Sequence, residues 1–180
     1  MIKTKKDIIL EAALNLFAEN GYTTTPTSLI AKKAGVSEGL IFKHYISKEN
    51  LLDIVVKTGY RRVMETSKGL VLEDDPQKLI ENVLDMPLIL VEEDRAFWRM
   101  QFKLANEEIA QKHHVRYSHS ILKNLVDAFA KLGYQEPELE ADFLLLTVEG
   151  LWRLFSMEGD KDKFTKLLSL IKSKYAAAQV

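Results

Sequence analysis

Gly35-Val36-Ser37-Glu38-Gly39 spells G-x-S-x-G, the spacing at which a serine can serve as an activated nucleophile. That chemistry needs a strand before the serine and a helix after it. Here Ile30, Ala31 and Ala34 precede it at helical spacing, and no alternating strand pattern occurs along the chain. Ser37 therefore reads as a helix cap. His113, His114 and His119, with Glu107 and Glu108 upstream, raise metal ligation. Ligands on one helix face want steps of three or four residues, and the steps of five and six found here suit one face poorly. They read as histidines on a solvated helix surface. The alternative function is a small helical enzyme or metal-binding protein using His113, His114 and His119 with a central cavity. Cysteine is absent, which excludes disulfides, thiolate zinc sites, iron–sulfur clusters and a cysteine nucleophile. No cofactor is expected.

A third constellation runs from Thr25 to Tyr45 and reads as two short helices joined by a tight turn at Gly35-Val36-Ser37. A helix-turn-helix requires a small residue where the helices cross (Ala31), a glycine for the turn, an apolar anchor (Val36) and a polar outer face on the second helix. Such a helix fits the major groove of DNA. Free N–H groups at its Ser37-capped end can face a phosphate.

The elements that must position these residues are helices almost throughout. Thr4 and Asp7 form a capping-box pair ahead of Ile9, Ala12, Ala13, Leu16 and Phe17, one apolar helix face that Gly21 ends. Thr25 is expected as the N-cap of a second helix with Pro26 in its first turn. Ser37 caps a third helix that buries Ile41 and Tyr45. Ser47 caps a fourth, reaching about Ser67, with Leu51, Leu52, Val55 and Val56 inward. A loop is expected over 69–76. Asp75-Pro76 opens the next helix, and further helices are expected over about 94–111, 114–132, 137–157 and 161–176. The fold class is all-α: an N-terminal three-helix part with the helix-turn-helix, residues 1–48, and a C-terminal helical part, residues 49–180, to which the family resemblance given below assigns ligand binding and dimerisation.

The chain has 180 residues, 47% of them hydrophobic and 28% charged, the balance of a soluble globular protein. Net charge is −1, but residues 1–62 carry +4 and residues 63–180 carry −5, a basic front and an acidic back. The start, Met1 to Asp7, lacks the apolar stretch of a leader, and no apolar run approaches the ~20 residues that span a bilayer. Cytoplasmic residence is the expectation.

From Ala12 through Gly21-Tyr22-Thr23-Thr24-Thr25, Ile30-Ala31-Lys32-Lys33-Ala34-Gly35-Val36-Ser37, Ile41-Phe42-Lys43-His44-Tyr45 and Ser47-Lys48-Glu49-Asn50-Leu51, the chain resembles the tetracycline-repressor (TetR) family of transcriptional regulators. The resemblance implies a homodimer that binds double-stranded operator DNA as a repressor and releases it when a small-molecule effector enters the C-terminal domain. It implies DNA contacts from Thr25, as a phosphate-binding threonine, and from Thr27 and Ser28 on the second helix. Ser37, Glu38, Gly39, Leu40, Phe42, Lys43 and His44 would form the reading helix and its cap, and Lys48 would grip the backbone. Two departures stand out. Phe42 replaces a common tyrosine and loses a hydroxyl. Thr27 replaces a larger aliphatic residue, which implies looser packing under the second helix. Glu38 repels phosphate but can accept from cytosine N4.

Aromatic residues and methionines crowd the middle of the chain, and Pro87 is expected to kink its helix and make room. Met86, Phe97, Trp98, Gln101, Phe102, Tyr117, Leu122, Trp152 and Phe155 are the candidate lining of a largely apolar ligand site, with Arg99 and His119 as further polar groups. Leu139, Phe143, Leu146, Gly150, Leu151 and Leu154, with Phe164, Leu167, Leu168, Ile171 and Tyr175, form two apolar stripes expected to meet their copies across a two-fold axis.

Overall fold

In the computed structural model, residues 3–105 and 107–176 are described. Met1 and Ile2, where the leader reading begins, and 177–180, the end of the C-terminal domain reading, lie outside them. The described residues form nine helices and no strand: α1 (Lys5–Asn20), α2 (Thr27–Ala34), α3 (Glu38–Tyr45), α4 (Lys48–Val71), α5 (Pro76–Glu93), α6 (Arg95–Lys103), α7 (Glu108–Lys131), α8 (Pro137–Glu158) and α9 (Lys161–Ala176). Two compact units draw on them. The first takes residues 1–62 and 96–114; the second takes 63–95 and 115–180.

In the first unit the chemistry of helix ends sets the elements. Thr4 Oγ1 accepts from the Asp7 amide while Asp7 Oδ2 accepts from the Thr4 amide at 2.9 Å, so the capping box forms. The Thr4 hydroxyl, which donates to Asp7 Oδ2 at 2.7 Å, and then the Thr4 amide hold the Asp7 carboxyl below its usual range. Gly35 ends α2 in the left-handed conformation (φ 64°), and the Val36 amide reaches back to the Ala31 carbonyl at 3.0 Å. Ser37 Oγ then accepts from the Leu40 amide at 3.3 Å and starts α3. Ser37 thus follows a helix, not the strand that a nucleophile elbow requires. Ser47 Oγ caps α4 through the Asn50 amide at 3.0 Å.

Three expectations need correction. The N-cap of α2 is Pro26, with no side-chain capping bond. Thr25 is instead fully buried, and its hydroxyl donates to the Gly21 carbonyl at 2.6 Å, tying off the end of α1. Secondly, α4 continues to Val71, so the expected loop shrinks, because Gly69 lies within a helix whose turns remain hydrogen-bonded. Thirdly, the expected 94–111 helix is broken: α6 stops at Lys103 and α7 begins at Glu108. Leu104 and Glu107 bridge the break, the Glu107 amide donating to the Leu104 carbonyl at 2.8 Å.

The link from α3 to α4 is short and strained. Ile46 has φ 63° and ψ −50°, and the Ser47 amide donates to the Tyr45 carbonyl across it, a γ-turn of the rare positive-φ kind. A β-branched residue seldom adopts positive φ, and such strain costs on the order of 1–3 kcal/mol. The Ile46 side chain offsets little of this, being 81% exposed. Ile46→Gly is therefore expected to raise unfolding free energy by about 1 kcal/mol after glycine's own entropy cost. Denaturant unfolding checks this, and a loss of stability would mean that the turn stores no strain.

In the second unit α5 packs on α8 and α9, and α8 on α9. Leu79, Ile80, Val83, Leu84, Leu90 and Val91 of α5 are buried, as are Ala141, Leu144, Val148, Leu151, Trp152 and Phe155 of α8. Pro87 lies buried inside α5. Phe155 stacks on Phe164 at 4.6 Å, and Arg95 lies over the Phe155 ring at 4.9 Å. Among the described residues no helix is long and apolar enough to cross a membrane.

Candidate nucleic-acid interface

Helix α3 divides by exposure. Ile41 and Tyr45, one turn apart, are buried, and the Tyr45 hydroxyl donates to the Lys6 carbonyl at 2.9 Å, fastening α3 to the start of α1. Burial raises the Tyr45 pKa, so the hydroxyl stays a donor. Gly39, Phe42 and Lys43, spaced by three and four residues, are exposed, and Phe42 is 44% exposed despite its apolar ring. Glu38 is exposed on the same first turn, while Leu40 and His44 are half-buried at the sides. Beside this face α2 presents exposed Ser28 and half-buried Thr27, whose hydroxyl donates to Glu38 Oε1. An outward face bearing a carboxylate, a bare glycine, an aromatic ring and an ammonium group can offer hydrogen bonds and apolar contact to base edges.

Lys48, the first residue of α4, lies half-buried with its Nζ 4.4 Å from the centre of the Tyr22 ring. Tyr22 in turn packs edge-on against Phe17 of α1, centroids 5.4 Å apart. Burial lowers the Lys48 pKa from its ordinary value of 10.5, and the Tyr22 ring faces the ammonium. An ammonium braced on an aromatic face gives up less rotamer freedom on meeting a phosphate than a free lysine does. Sequence reasoning picked out Lys48 and missed Tyr22 as its platform. The only signal was an aromatic just after the Gly21 cap, and no spacing rule pairs positions 22 and 48.

Of the eleven residues expected at DNA, the structure brings ten onto or beside this surface. Thr25 is the exception: its buried hydroxyl is committed to the Gly21 carbonyl, so it holds the α1–α2 corner and offers no side chain outward.

The residues expected to line a ligand site divide between the units. Phe97, Trp98, Gln101 and Phe102 belong to the first; Met86, Tyr117, Leu122, Trp152 and Phe155 belong to the second. All but Phe102 and Leu122 are buried. In the first unit Gln101 Nε2 donates to the Tyr60 hydroxyl at 2.8 Å, and that hydroxyl lies 3.1 Å from His114 Nδ1. Having accepted from Gln101, it can donate onward to a neutral His114. His113 stacks on the Tyr60 ring and sets Nε2 3.3 Å from Asp53 Oδ1. The expectation of solvated histidines is thus corrected for His113 and His114, which join a half-buried polar network; His119 is exposed. Asp53 and Tyr60 were missed. Their signal was two polar groups seven residues apart on the otherwise apolar side of α4. Gln101 Oε1 in the first unit and Ser156 Oγ in the second are buried without a hydrogen-bond partner among the described residues. Burial pushes the Tyr117 hydroxyl up to about 12. No group of three or more potential ligands for a metal ion occurs among the described residues.

A separate cavity of about 270 Å³ in the second unit is bordered by Val71, Leu72, Asp74, Leu79, Asn124 and Asp127, among others. None of the candidate ligand residues lines it.

Comparison with known proteins bears on these surfaces. Residues 9–55 match the family described as bacterial regulatory proteins, tetR family. The chain is 27% identical over 163 residues to the HTH-type transcriptional regulator YdgC of Bacillus subtilis, covering 86% of this chain and 82% of that one. It is 28% identical over 139 residues to the fatty acid metabolism regulator protein of the same organism, covering 73% and 69%. A TetR-like transcriptional regulator from Rhodococcus sp. RHA1 shares its fold, with a TM-score of 0.83 at 18% identity over 97% of this chain and 96% of that one. The family is one of regulators rather than enzymes, which sets aside the enzymatic alternative. The helix-turn-helix geometry and these matches lead to one conclusion: residues 9–55 form a DNA-binding region of the tetR-family kind, in a chain similar over most of its length to DNA-binding transcriptional regulators.

Proposed function

We propose that the protein is a homodimeric repressor that holds a palindromic operator through residues 1–48, whose last residue, Lys48, heads α4, and that a small, largely apolar molecule bound within residues 49–180 releases it. The observation that carries the DNA part is the exposed α3 face flanked by Lys48 braced on Tyr22. The proposed contact set is Thr27, Ser28, Ser37, Glu38, Gly39, Leu40, Phe42, Lys43, His44 and Lys48; Thr25 serves as a buried brace.

Helix α8 supports the dimer. Leu139, Phe143, Leu146, Gly150 and Met157 recur at steps of four, three, four and seven along a side opposite the buried one, and Leu146 is 70% exposed. Such a seam suits a helix of a second copy, and at Gly150 nothing lies within 4 Å of where a side chain would begin. Residues Leu151, Phe164, Leu168 and Tyr175, counted with the stripe on sequence, are buried within the chain and leave the seam to the others. An apolar effector is supported by Tyr60, Phe97 and Trp98 packed around Gln101 in the first unit, by Gln101 Oε1 being buried without a hydrogen-bond partner among the described residues, and by a relative named for fatty acid metabolism. Release by such a molecule requires tighter binding to the DNA-free state, and linkage makes the effect reciprocal.

Removing one phosphate contact per chain, two per dimer, reduces affinity on all sequences about equally and flattens the salt dependence by roughly 2 units. Lys48→Ala is expected to do this in titrations of a selected duplex between low and moderate salt. An unchanged slope with unchanged affinity would remove Lys48 from the interface. Tyr22→Leu should lower affinity less, since it frees the ammonium without deleting it.

A further inference from the structure

Among surfaces outside the contacts already argued, the bond between α2 and α3 at their facing ends carries most. Thr27 begins α2 and Glu38 begins α3, eleven residues apart, and the Thr27 hydroxyl donates to Glu38 Oε1. A hydroxyl has one hydrogen to give, whereas an ionised carboxylate has two oxygens and about four acceptor positions. One oxygen is held and the other remains available on the exposed side of the first turn. The next residue along α3 is Gly39, where a Cβ would meet nothing within 4 Å, so the helix is bare beside the free oxygen.

N-terminal residues of a reading helix meet base edges in the major groove. A carboxylate there can only accept. Guanine O6 and N7 and thymine O4 are acceptors too and repel it; adenine sets its N7 acceptor beside the N6 donor; cytosine offers its N4 amino group without a neighbouring acceptor on the same base. An untethered glutamate would spend this preference on rotamer freedom and water. Resting on the DNA-binding role proposed above, we propose that Thr27 and Glu38 form a preassembled pair that reads cytosine at one position of each operator half-site: Glu38 accepts from the base, and Thr27 acts as a positioning residue that fixes the carboxylate.

The test is selection from a randomised duplex library by the full chain and its variants, followed by titration of single-base variants of the selected duplex. The native protein is expected to select cytosine at one position per half-site and to lose at least roughly fivefold in affinity when that base is changed. Glu38→Gln should shift the preference at that position alone towards adenine, whose N6 and N7 suit an amide. Thr27→Val, which keeps shape but lacks the donor, should lower the cytosine preference several-fold there and nowhere else; Thr27→Ser should retain it. A native protein that selects sequences, with Glu38→Gln and Glu38→Ala selecting the same ones, would overturn the proposal while leaving DNA binding intact. Thr27→Val weakening binding evenly at every position would show a bond that only holds α2 against α3, and would also overturn it. Failure of the native protein to enrich any duplex at low salt would overturn the DNA-binding reading itself.

Discussion

Gly59→Ala is expected to destabilise the first unit by at least about 3 kcal/mol and to abolish cooperative thermal unfolding of that unit near its native midpoint. In an ordinary helix the change would help, since alanine is favoured over glycine by about 1 kcal/mol. Here a Cβ on α4 would stand 2.0 to 2.7 Å from three ring atoms of Phe97 on α6. That ring is fully buried, with Tyr60 and Trp98 edge-on against it at centroid distances of 5.3 and 5.1 Å, so it has nowhere to turn. The clash therefore outweighs propensity. The mechanism has its own check. Phe97→Leu alone should cost stability by underpacking, but the double variant Gly59→Ala/Phe97→Leu should be markedly more stable than the two single costs combined would allow. Denaturant unfolding of the four proteins measures that coupling. Additive costs would mean that Gly59 is required for another reason.

Leu146→Glu is expected to leave the protein monomeric at micromolar concentration without unfolding the chain, if the proposed α8 seam joins two copies. Position 146 is 70% exposed within one chain, so a charge there is harmless unless a second copy covers it. Covered, it would bury an unpaired carboxylate at a cost of about 3–5 kcal/mol, weakening association by roughly 10² to 10³-fold or more. Operator affinity should fall with it, because each half-site would then be bound alone. Leu151→Glu makes the contrast. Leu151 is 5% exposed and faces the interior of its own unit, so this variant should lose helical signal rather than only its partner. Light scattering and far-ultraviolet circular dichroism on both proteins separate the outcomes. A Leu146→Glu protein of native oligomeric state would remove the α8 seam from the interface.

Local chemistry was legible where a helix end fixes it. The capping box at Thr4 and Asp7 and the caps at Ser37 and Ser47 follow from side chains bonding to amides three residues on, and Gly35 follows from glycine's tolerance of the left-handed conformation; sequence spacing states all of these directly. Thr25 failed the same reasoning. Its position before Pro26 suited a cap, but a competing carbonyl at the end of α1 captured the hydroxyl, and that partner depends on how the chain turns between the helices. Periodicity identified the apolar faces but not which of two faces on α8 is internal, because Leu146 and Leu151 are equally apolar and only packing separates them. In the interface, Lys48 and Glu38 were visible as charged residues at helix starts. Their partners Tyr22 and Thr27 were not visible as partners, since separations of 26 and 11 residues along the chain carry no rule of proximity. The histidines show the same limit: spacing along α7 suggested solvent, whereas Asp53 and Tyr60 of α4 meet them in space.

The central claim, that the outward face of α3 with Lys48 reads operator DNA, is tested most directly by one set of titrations. A duplex selected by the full chain and a scrambled duplex of equal length are each titrated with protein across a series of salt concentrations. Two chains are expected on the selected duplex, with a linear fall of log affinity with log salt at about 0.9 for each phosphate neutralised. It also predicts a preference of roughly 10³ or more for the selected sequence at physiological salt, matched by half-sites about 34–36 Å apart. Equal affinity for the two duplexes at every salt concentration, or no binding to either at low salt, would contradict it.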